Sequence, residues 1–294
     1  MSSIQSYVPT KEKNRTLSGV LYLVATPIGN LSDLSERALK VLREVDFIAA
    51  EDTRNSMKLL AHFDIQKPLI SYFEHNKRER GEVIAARLEA GESCALITDA
   101  GTPAISDPGE DLVALCAERG IPVSSIPGCC AAITALTLSA LPTGRFCFEG
   151  FLPMNKAERR TRLEELKKEP RSMIFHEAPH KLKHTLDDFC TAFGASRRIA
   201  LCRELTKLNE DVHRCTLEEA VAFYQSNEPR GEYVLVIEGA PLTDASSAAF
   251  WSDMTVPEHV AYYKEQGMER MDAIKAAARD RGVPKNQIYR EVVE

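Results

Sequence analysis

The feature that most constrains this fold is the regular alternation of apolar runs and helical patterns in the first half of the chain. Five short apolar runs have the composition of buried strands, at residues 20–26, 46–51, 68–73, 93–98 and 122–127. Helical patterns separate them, at residues 33–44, 53–63, 76–90 and 109–119. Strands that alternate with helices of about ten residues indicate βαβ units and a parallel sheet. The sequence therefore predicts an α/β fold for this half.

The pattern closes with a small-residue helix at 128–142 and restarts after a strand at 145–153. The second half is predicted to contain strands at 171–178, 198–205 and 231–239 and helices at 155–168, 179–193 and 216–226. We therefore expect two closely packed α/β domains, one over residues 20–150 and one over residues 151–240.

The two ends of the chain differ from this pattern. Residues 1–19 are polar and are predicted to form a disordered tail. Within residues 255–294 a helical pattern stops at Gly282 and starts again at Pro284. That outline predicts a small helix-turn-helix extension. Contact with nucleic acid and a plain packing role both remain open for it.

The composition is that of an ordinary globular chain, and it excludes several functions. At 294 residues the chain exceeds the usual size of one domain. A net charge of −6 excludes a surface dominated by nucleic-acid-binding charge, although one basic face is compatible with it. No apolar run approaches the roughly 20 residues that span a bilayer, so no membrane attachment is expected. The eight cysteines form no CxxC pair, which predicts reduced thiols, a cytoplasmic location and no metal centre.

Three loops that follow predicted strands are built from Pro, Gly, Asp, Ser and Thr. They are TPIGN (26–30), TDAGTPAISDPG (98–109) and IPGCCAA (126–132). Ligands on open parallel sheets bind at the carboxyl ends of the strands, so these loops predict a common binding site. The two carboxylates of the second loop suit a cation or hydroxyl groups better than a phosphate. Asp107, in that loop, is expected to cap the helix that starts near Gly109.

Neither a dinucleotide fingerprint nor a P-loop motif follows any predicted strand. Instead, the chain resembles the tetrapyrrole methylase superfamily over roughly residues 20–240. The resemblance is carried by LYLVATPIGNLSDLSERAL, AAEDTR, ISYFEHN, LITDAGTPAISDPGEDLV, IPGCCAAITAL, RELTK and GEYVLVIEG. Within this superfamily the chain is most similar to the bacterial branch that 2′-O-methylates a cytidine ribose of 16S ribosomal RNA. It departs from that branch at Cys129 and Cys130, where Pro-Ser or Ala-Ser is commoner, and at Asn209, where His is common.

The resemblance implies a class III methyltransferase fold, in which two packed α/β domains hold S-adenosylmethionine in the cleft between them. Asp99 would accept hydrogen bonds from the cofactor, Gly101 and Pro103 would bend the backbone against it, and Ile105 and Ser106 would cover it. The full set of residues implied to hold the cofactor is Pro27, Gly29, Asp99, Gly101, Pro103, Ile105, Ser106, Pro127, Gly128, Cys130 and Ala131.

In-line methyl transfer to a ribose hydroxyl benefits from close positioning and from a nearby base or cation. Candidates are Glu51, Asp52 and Arg54 from the motif AEDTR, Glu74, His75 and Asn76 from FEHN, and Arg203, Glu204 and Lys207 from RELTK. The structural alternatives are an ion pair at a strand end for Glu51, Asp52 and Arg54, a surface position for His75, and a bridge between domains for Arg203 and Glu204. Positioning without a dedicated base is also open.

The densest basic stretch lies at residues 155–171. At helical spacing, Arg159, Arg160 and Arg162 are predicted to contact RNA, and a solvated helix face with Glu–Lys pairs is the alternative. The resulting hypothesis is a cytoplasmic, homodimeric ribosomal RNA methyltransferase that acts on the RNA or on the assembled small subunit. A small-molecule tetrapyrrole methylase is the second hypothesis. A nucleic-acid-binding module without activity is the third, and the cofactor loops argue against it.

Overall fold

The computed structural model of this chain describes residues 15–241, 251 and 253–293. Residues up to Gly239 form one compact unit, and residues from Ala240 onward form a second. Most of the tail predicted at 1–19 lies outside the described residues, as does most of the polar segment after Gly239.

The first sheet confirms the predicted parallel α/β half. Its strands are β1 (Leu21–Val24), β2 (Phe47–Ala50), β3 (Leu69–Ser71), β4 (Cys94–Ile97) and β5 (Val123–Ile126). They pair in parallel in the order β3-β2-β4-β1-β5. Every residue of β2 and β4 is buried. Because both faces of these strands are covered, their sequences FIAA and CALI are continuous apolar runs.

Helices follow the strands of this sheet, and the first four of them cover its faces. They are α1 (Glu36–Glu44), α2 (Thr53–His62), α3 (Lys77–Glu89), α4 (Glu110–Glu118) and α5 (Ala131–Leu138). In α1 the buried residues Ala38, Val41 and Leu42 follow helical spacing and form one apolar face. The Ser35 hydroxyl begins this helix by accepting a hydrogen bond from the Ala38 amide at 3.1 Å.

The second sheet is mixed. Its strands are β6 (Phe146–Gly150), β7 (Ser172–Glu177), β8 (Arg198–Arg203), β9 (Asp211–Thr216) and β10 (Tyr233–Ile237), in the order β6-β7-β10-β8-β9. Strands β6 and β7 are parallel, and the other pairs are antiparallel. The sheet begins at Phe146, just before the boundary predicted at residue 150. Strand β9 was not predicted, because it is a partly exposed edge strand whose sequence DVHRCT has no apolar run.

Two groups of helices sandwich this second sheet. Helices α6 (Lys156–Leu166), α7 (Pro179–Phe193) and α8 (Leu217–Ser226) contribute to the core on one face, which includes Phe175 and Leu235. Helix α5, which follows the first sheet, packs on the opposite face, where Ala135 contacts the cluster that contains Ile174 and Val234. The two sheets are therefore held together by α5, and the loop that precedes it lies between them.

The C-terminal unit contains the helices Val256–Glu265, Arg270–Arg281 and Lys285–Val293 around a small core. Gly282 ends the second of them in the left-handed conformation with φ of 65°, as its sequence position predicts. The predicted helical pair is confirmed, with one further helix before it.

In the parts of the chain that the structure describes, no helix combines the length and apolarity needed to cross a bilayer. All eight cysteines lie in those parts and are free.

Candidate functional site

A cavity of about 420 Å³ lies between the two sheets, within the range typical of small-molecule sites. The first sheet contributes the loops that follow β1, β4 and β5, including Ile28, Gly101 and Cys130. The second sheet contributes the end of β7 and the segments around residues 204–207 and 232–234. The cavity therefore lies at the carboxyl edge of the parallel sheet, as predicted.

Backbone hydrogen bonds bring the three predicted loops together. The Thr26 amide donates to the Gly101 carbonyl at 2.8 Å, and the Gly101 amide donates to the Thr26 carbonyl at 3.0 Å. The Thr102 hydroxyl donates to the Cys129 carbonyl at 2.9 Å. Gly101 has a φ of 89°, which is a conformation that glycine adopts most readily. The loops thus form one wall whose geometry is set mainly by the backbone.

The loop after β4 stores backbone strain beside the cavity. Ala104 and Ser106 have φ values of 67° and 64°, which side chains disfavour at a cost of about 1–3 kcal/mol each. A Cβ on Gly109 would lie 3.1 Å from the Ala104 Cβ, so the loop folds tightly back on itself. Strain of this kind persists only where the surrounding structure enforces it, and such positions cluster at ligand sites.

The segment 204–207 closes the cavity from the side of the second sheet. Lys207 Nζ lies 3.0 Å from Glu204 Oε1 and 2.8 Å from Glu232 Oε2. These hydrogen bonds outweigh the effect of burial and raise the pKa of Lys207. The stem of Lys207 passes over Gly29, where a Cβ would lie 2.4 Å from its Cγ. Gly29 therefore provides the space in which this cation is seated.

The cavity wall is acidic. Four carboxylates line it, those of Asp107, Glu177, Glu204 and Glu232, against the single ammonium of Lys207. Burial and then the charge of Glu51 raise the pKa of Asp107 to about 6, while the Thr98 side chain lowers it. A wall of this sign favours a cationic ligand and disfavours a phosphate.

The predicted cofactor residues separate into two groups. Gly101, Ile105, Ser106, Cys130 and Ala131 line the cavity. The others are not part of the lining, and they are Pro27, Gly29, Asp99, Pro103, Pro127 and Gly128.

Two residues of the second group illustrate supporting roles. The Asp99 carboxylate is exposed and accepts a hydrogen bond from Asn55 Nδ2 at 3.0 Å. A Cβ on Gly128 would lie only 2.8 Å from the Ala25 Cβ, so this glycine permits close packing of two loops.

Of the predicted catalytic residues, Glu204 and Lys207 line the cavity, and the others lie outside its lining. Glu51 accepts a hydrogen bond from the Asp99 amide at 3.3 Å, behind the loop after β4. Arg54 pairs with Asp52 at 2.7 Å, and His75 is exposed. Arg203 ends β8, and its NH2 group lies 3.8 Å from Asp211. Their catalytic roles stay predictions.

One interpretation of the sequence is wrong. Asp107 does not cap α4: the residue before this helix is Gly109, and no side chain caps it. The strained turn carries Asp107 into the cavity wall instead. Glu232 also lines the cavity, and its position just before β10 was the available signal for it. His176 lines the cavity as well, and the family resemblance implies that this strand end contacts the adenine of the cofactor.

The basic helix α6 uses two of its three predicted RNA-contacting arginines in ion pairs. Arg159 is 12% exposed and bonds Asp188 at 2.6 Å and Thr185 at 2.8 Å. Arg162 bonds Glu149 at 2.7 Å. Arg160 is exposed and has no ion pair within the described ranges.

A profile of the tetrapyrrole (corrin/porphyrin) methylase family matches residues 20–221. The chain belongs to this family. S-adenosylmethionine is the methyl donor of the family, so the predicted cofactor and the predicted enzyme class are confirmed.

Curated relatives match over almost the whole chain. A protein of Halalkalibacterium halodurans named ribosomal RNA small subunit methyltransferase I is 48% identical over 98% of both chains. A protein of the same name from Escherichia coli O157:H7 is 43% identical over 94% of this chain and 95% of its own length.

Solved structures support the fold class. Cobalt precorrin-4 methyltransferase matches with a TM-score of 0.56 at 16% identity, over 75% of this chain and 95% of its own. Diphthine synthase matches with a TM-score of 0.57 at 15% identity, over 75% of this chain and 90% of its own. At these identities the likeness concerns the fold alone.

The cavity fits the family's cofactor in three respects. Its acidic wall suits a ligand that carries positive charge, and its apolar side chains, such as Ile28, Ile105 and Phe151, suit an uncharged ring. Third, His176 Nε2 is buried in the cavity wall with no hydrogen-bond partner among the described residues, so a polar group of a ligand could pair with it. In the described parts of the chain, no group of three or more His, Cys, Asp or Glu residues could hold a metal ion.

Proposed function

We propose that this protein methylates the 2′-hydroxyl of a cytidine ribose in 16S ribosomal RNA with S-adenosylmethionine as donor. The observation that carries the proposal is the 48% identity, over 98% of both chains, to a protein named ribosomal RNA small subunit methyltransferase I. The acidic cavity at the carboxyl edge of the parallel sheet supports it, because it provides a site for a cationic methyl donor.

The roles of the chain's residues follow from their positions. Bound S-adenosylmethionine supplies an electrophilic methyl group on a positively charged sulfur. Gly101 and Thr102 bring the backbone of the loop close to the ligand, and Ile28, Ile105 and Phe151 exclude water from it. Glu204 and Glu232 hold the Lys207 ammonium in place. Fixing donor and acceptor in one dry cleft contributes a large share of the rate acceleration.

Arg160 is our candidate for RNA contact on α6, because its charge is exposed while Arg159 and Arg162 are committed to carboxylates. A cytoplasmic homodimer is part of the same proposal and follows from the family resemblance. Size-exclusion chromatography with light scattering tests the dimer.

Asp99→Ala is expected to weaken S-adenosylmethionine binding while the fold stays intact. Asp99 lies just after β4, and its amide and carboxylate tie the loop after this strand to Glu51 and Asn55. Calorimetric titration measures the affinity, and circular dichroism controls for the fold. Wild-type affinity in the variant would remove Asp99 from the cofactor site.

Mapping of ribose methylation in cells that lack this protein tests the proposed reaction. We expect one cytidine of 16S RNA to lose its 2′-O-methyl group and to regain it when the gene is restored. In vitro, purified protein should transfer labelled methyl groups to small subunits from the deficient cells. Transfer to free porphyrinoid precursors instead would favour the small-molecule hypothesis.

A further inference from the structure

Among the four carboxylates of the cavity lining, Glu204 and Glu232 pair with Lys207 and Glu177 accepts two hydrogen bonds, whereas Asp107 has no ion pair in the described part of the chain. We propose that Asp107 is the general base that accepts the proton of the acceptor hydroxyl during methyl transfer. This inference deepens the proposed function and rests on it. It assigns to Asp107 a chemical role in place of the helix-capping role that its sequence position suggests.

The placement of Asp107 is the first support. The residue lines the cavity and follows Ser106, whose φ of 64° is a conformation that side chains disfavour. Helix α4 begins without a side-chain cap, so the carboxylate is not used to stabilise it. Strained turns of this kind cluster at ligand sites, so the position of Asp107 in the cavity wall is consistent with a functional role.

The other cavity-lining carboxylates are already committed. Glu177 is buried and accepts hydrogen bonds from the Ala178 amide, at 2.8 Å, and from the Thr185 hydroxyl. Glu204 accepts from the Glu232 amide at 2.9 Å and pairs with Lys207. Glu232 pairs with the same ammonium. Each of these three carboxylates therefore already accepts from at least one donor of the chain.

The remaining polar groups of the lining are poorer acceptors. Lys207 is held protonated by its two carboxylates. Burial lowers the pKa of His176, and its Nε2 lies buried in a wall where Phe148 and Phe151 contact the ring edge-to-face. Cys202 is fully buried in the apolar core. The Tyr233 hydroxyl lies 3.3 Å from that of Tyr224.

Two neighbouring carboxylates shift the pKa of Asp107 toward the range that suits a general base. Glu51 from the end of β2 and Asp99 from the end of β4 both raise its pKa, in addition to burial. A base whose pKa lies near 6 is ionised at neutral pH and still holds a transferred proton better than an ordinary carboxylate. The same two carboxylates lie outside the cavity lining, so they act on Asp107 through their charge.

In the proposed step, two bonds break and two bonds form. The O–H bond of the ribose 2′-hydroxyl breaks, and its proton passes to an Asp107 carboxylate oxygen. The oxygen electron pair forms the new bond to the methyl carbon, and the electron pair of the broken carbon–sulfur bond stays on sulfur. Asp107 then returns its proton to solvent.

The test compares wild type, Asp107→Asn, Asp107→Glu, His176→Asn and the exposed control Asp187→Asn. Substrates are small subunits from cells that lack the protein and S-adenosylmethionine with a labelled methyl group. We expect Asp107→Asn to lose about 100-fold to 10,000-fold in kcat with cofactor affinity within about threefold of wild type. Asp107→Glu should recover part of this loss. The wild-type kcat/KM should fall with unit slope below pH of about 6.

A second readout is independent of turnover. Infrared difference spectra of the protein without substrate should show a carboxyl group that ionises near pH 6 in wild type and in Asp187→Asn. This signal should be absent from Asp107→Asn.

Three results would overturn the assignment. They are near-normal transfer by Asp107→Asn, a loss of cofactor affinity in that variant as large as its loss of transfer, and a loss of transfer confined to His176→Asn. If the wild type transfers nothing to small subunits, the proposed function itself fails, and the base role fails with it. If the wild type transfers methyl groups normally and Asp107→Asn does so as well, the base role fails but the proposed function stands.

Discussion

At the scale of single residues, the Asp107 carboxyl links stability to pH. Its pKa is about 6 in the folded chain against 3.8 ordinarily, so the native state binds the proton more tightly than the unfolded state. The free energy of unfolding therefore falls as pH rises from about 4 to about 6. In a partly solvated site this effect is worth about 1–2 kcal/mol.

Asp107→Asn removes this penalty. We expect the variant to be more stable than wild type at pH 7.5 and close to wild type at pH 3.5. Urea denaturation at the two pH values measures the difference, with Asp187→Asn as the control. An equal change at both pH values would contradict the linkage.

At the scale of elements, the end of β10 depends on a close approach to the segment before β7. A Cβ on Gly239 would lie 2.1 Å from the Pro170 carbonyl oxygen and 2.2 Å from its carbon. Since this obstacle is backbone, Gly239→Ala should lower the free energy of unfolding by about 3 kcal/mol. Gly144→Ala is the matched control, because nothing lies within 4 Å of that Cβ. Equal stability of the two variants, measured by urea denaturation, would contradict the packing argument.

Helix α6 offers a second test at this scale, with adjacent arginines in different roles. Arg159→Ala should cost about 1–3 kcal/mol of stability, because it breaks the contact with Asp188 and Thr185 on α7.

Arg160→Ala should leave thermal unfolding unchanged and weaken binding to ribosomal RNA. The slope of log affinity against log salt concentration should fall by about one. Filter binding at several salt concentrations measures the second effect. An unchanged RNA affinity in Arg160→Ala would remove α6 from the RNA-binding surface.

At the scale of the whole molecule, the C-terminal unit has its own sensitivity to acid. His259 is fully buried there, and its Nδ1 accepts a hydrogen bond from Arg281 Nε at 3.1 Å, which requires an unprotonated nitrogen. Burial and then the charge of Arg281 lower the pKa of His259, while Asp280 opposes them. The stability contributed by neutral His259 is therefore present above pH of about 6.5 and is lost as pH falls.

Hydrogen exchange read by mass spectrometry tests this expectation, after correction for the intrinsic rates. Protection of residues 256–281 should fall between pH 7 and pH 5, while protection of β1, β2 and β4 persists. His259→Gln should weaken that pH dependence. Loss of protection to the same extent in both units would point to global unfolding instead.

Much of the fold was predictable because its signals are local. Buried strands such as β2 and β4 require continuous apolar runs, and Gly282 ends its helix through a conformation that glycine favours. The three loops at the cavity were also predictable, since strand ends and turn residues can be read directly. Strand β9 was missed because an exposed edge strand needs no apolar pattern.

The sequence by itself determined the α/β class, the family and the loops that form one wall of the cavity. Only the tertiary structure decided which side chains face that cavity and how they are charged. In the folded chain Asp107 lies in the cavity wall and does not cap a helix, and Arg159 pairs with Asp188, 29 residues away. The physical reason is that burial, ion pairing and pKa depend on groups distant in the chain, which only folding brings together.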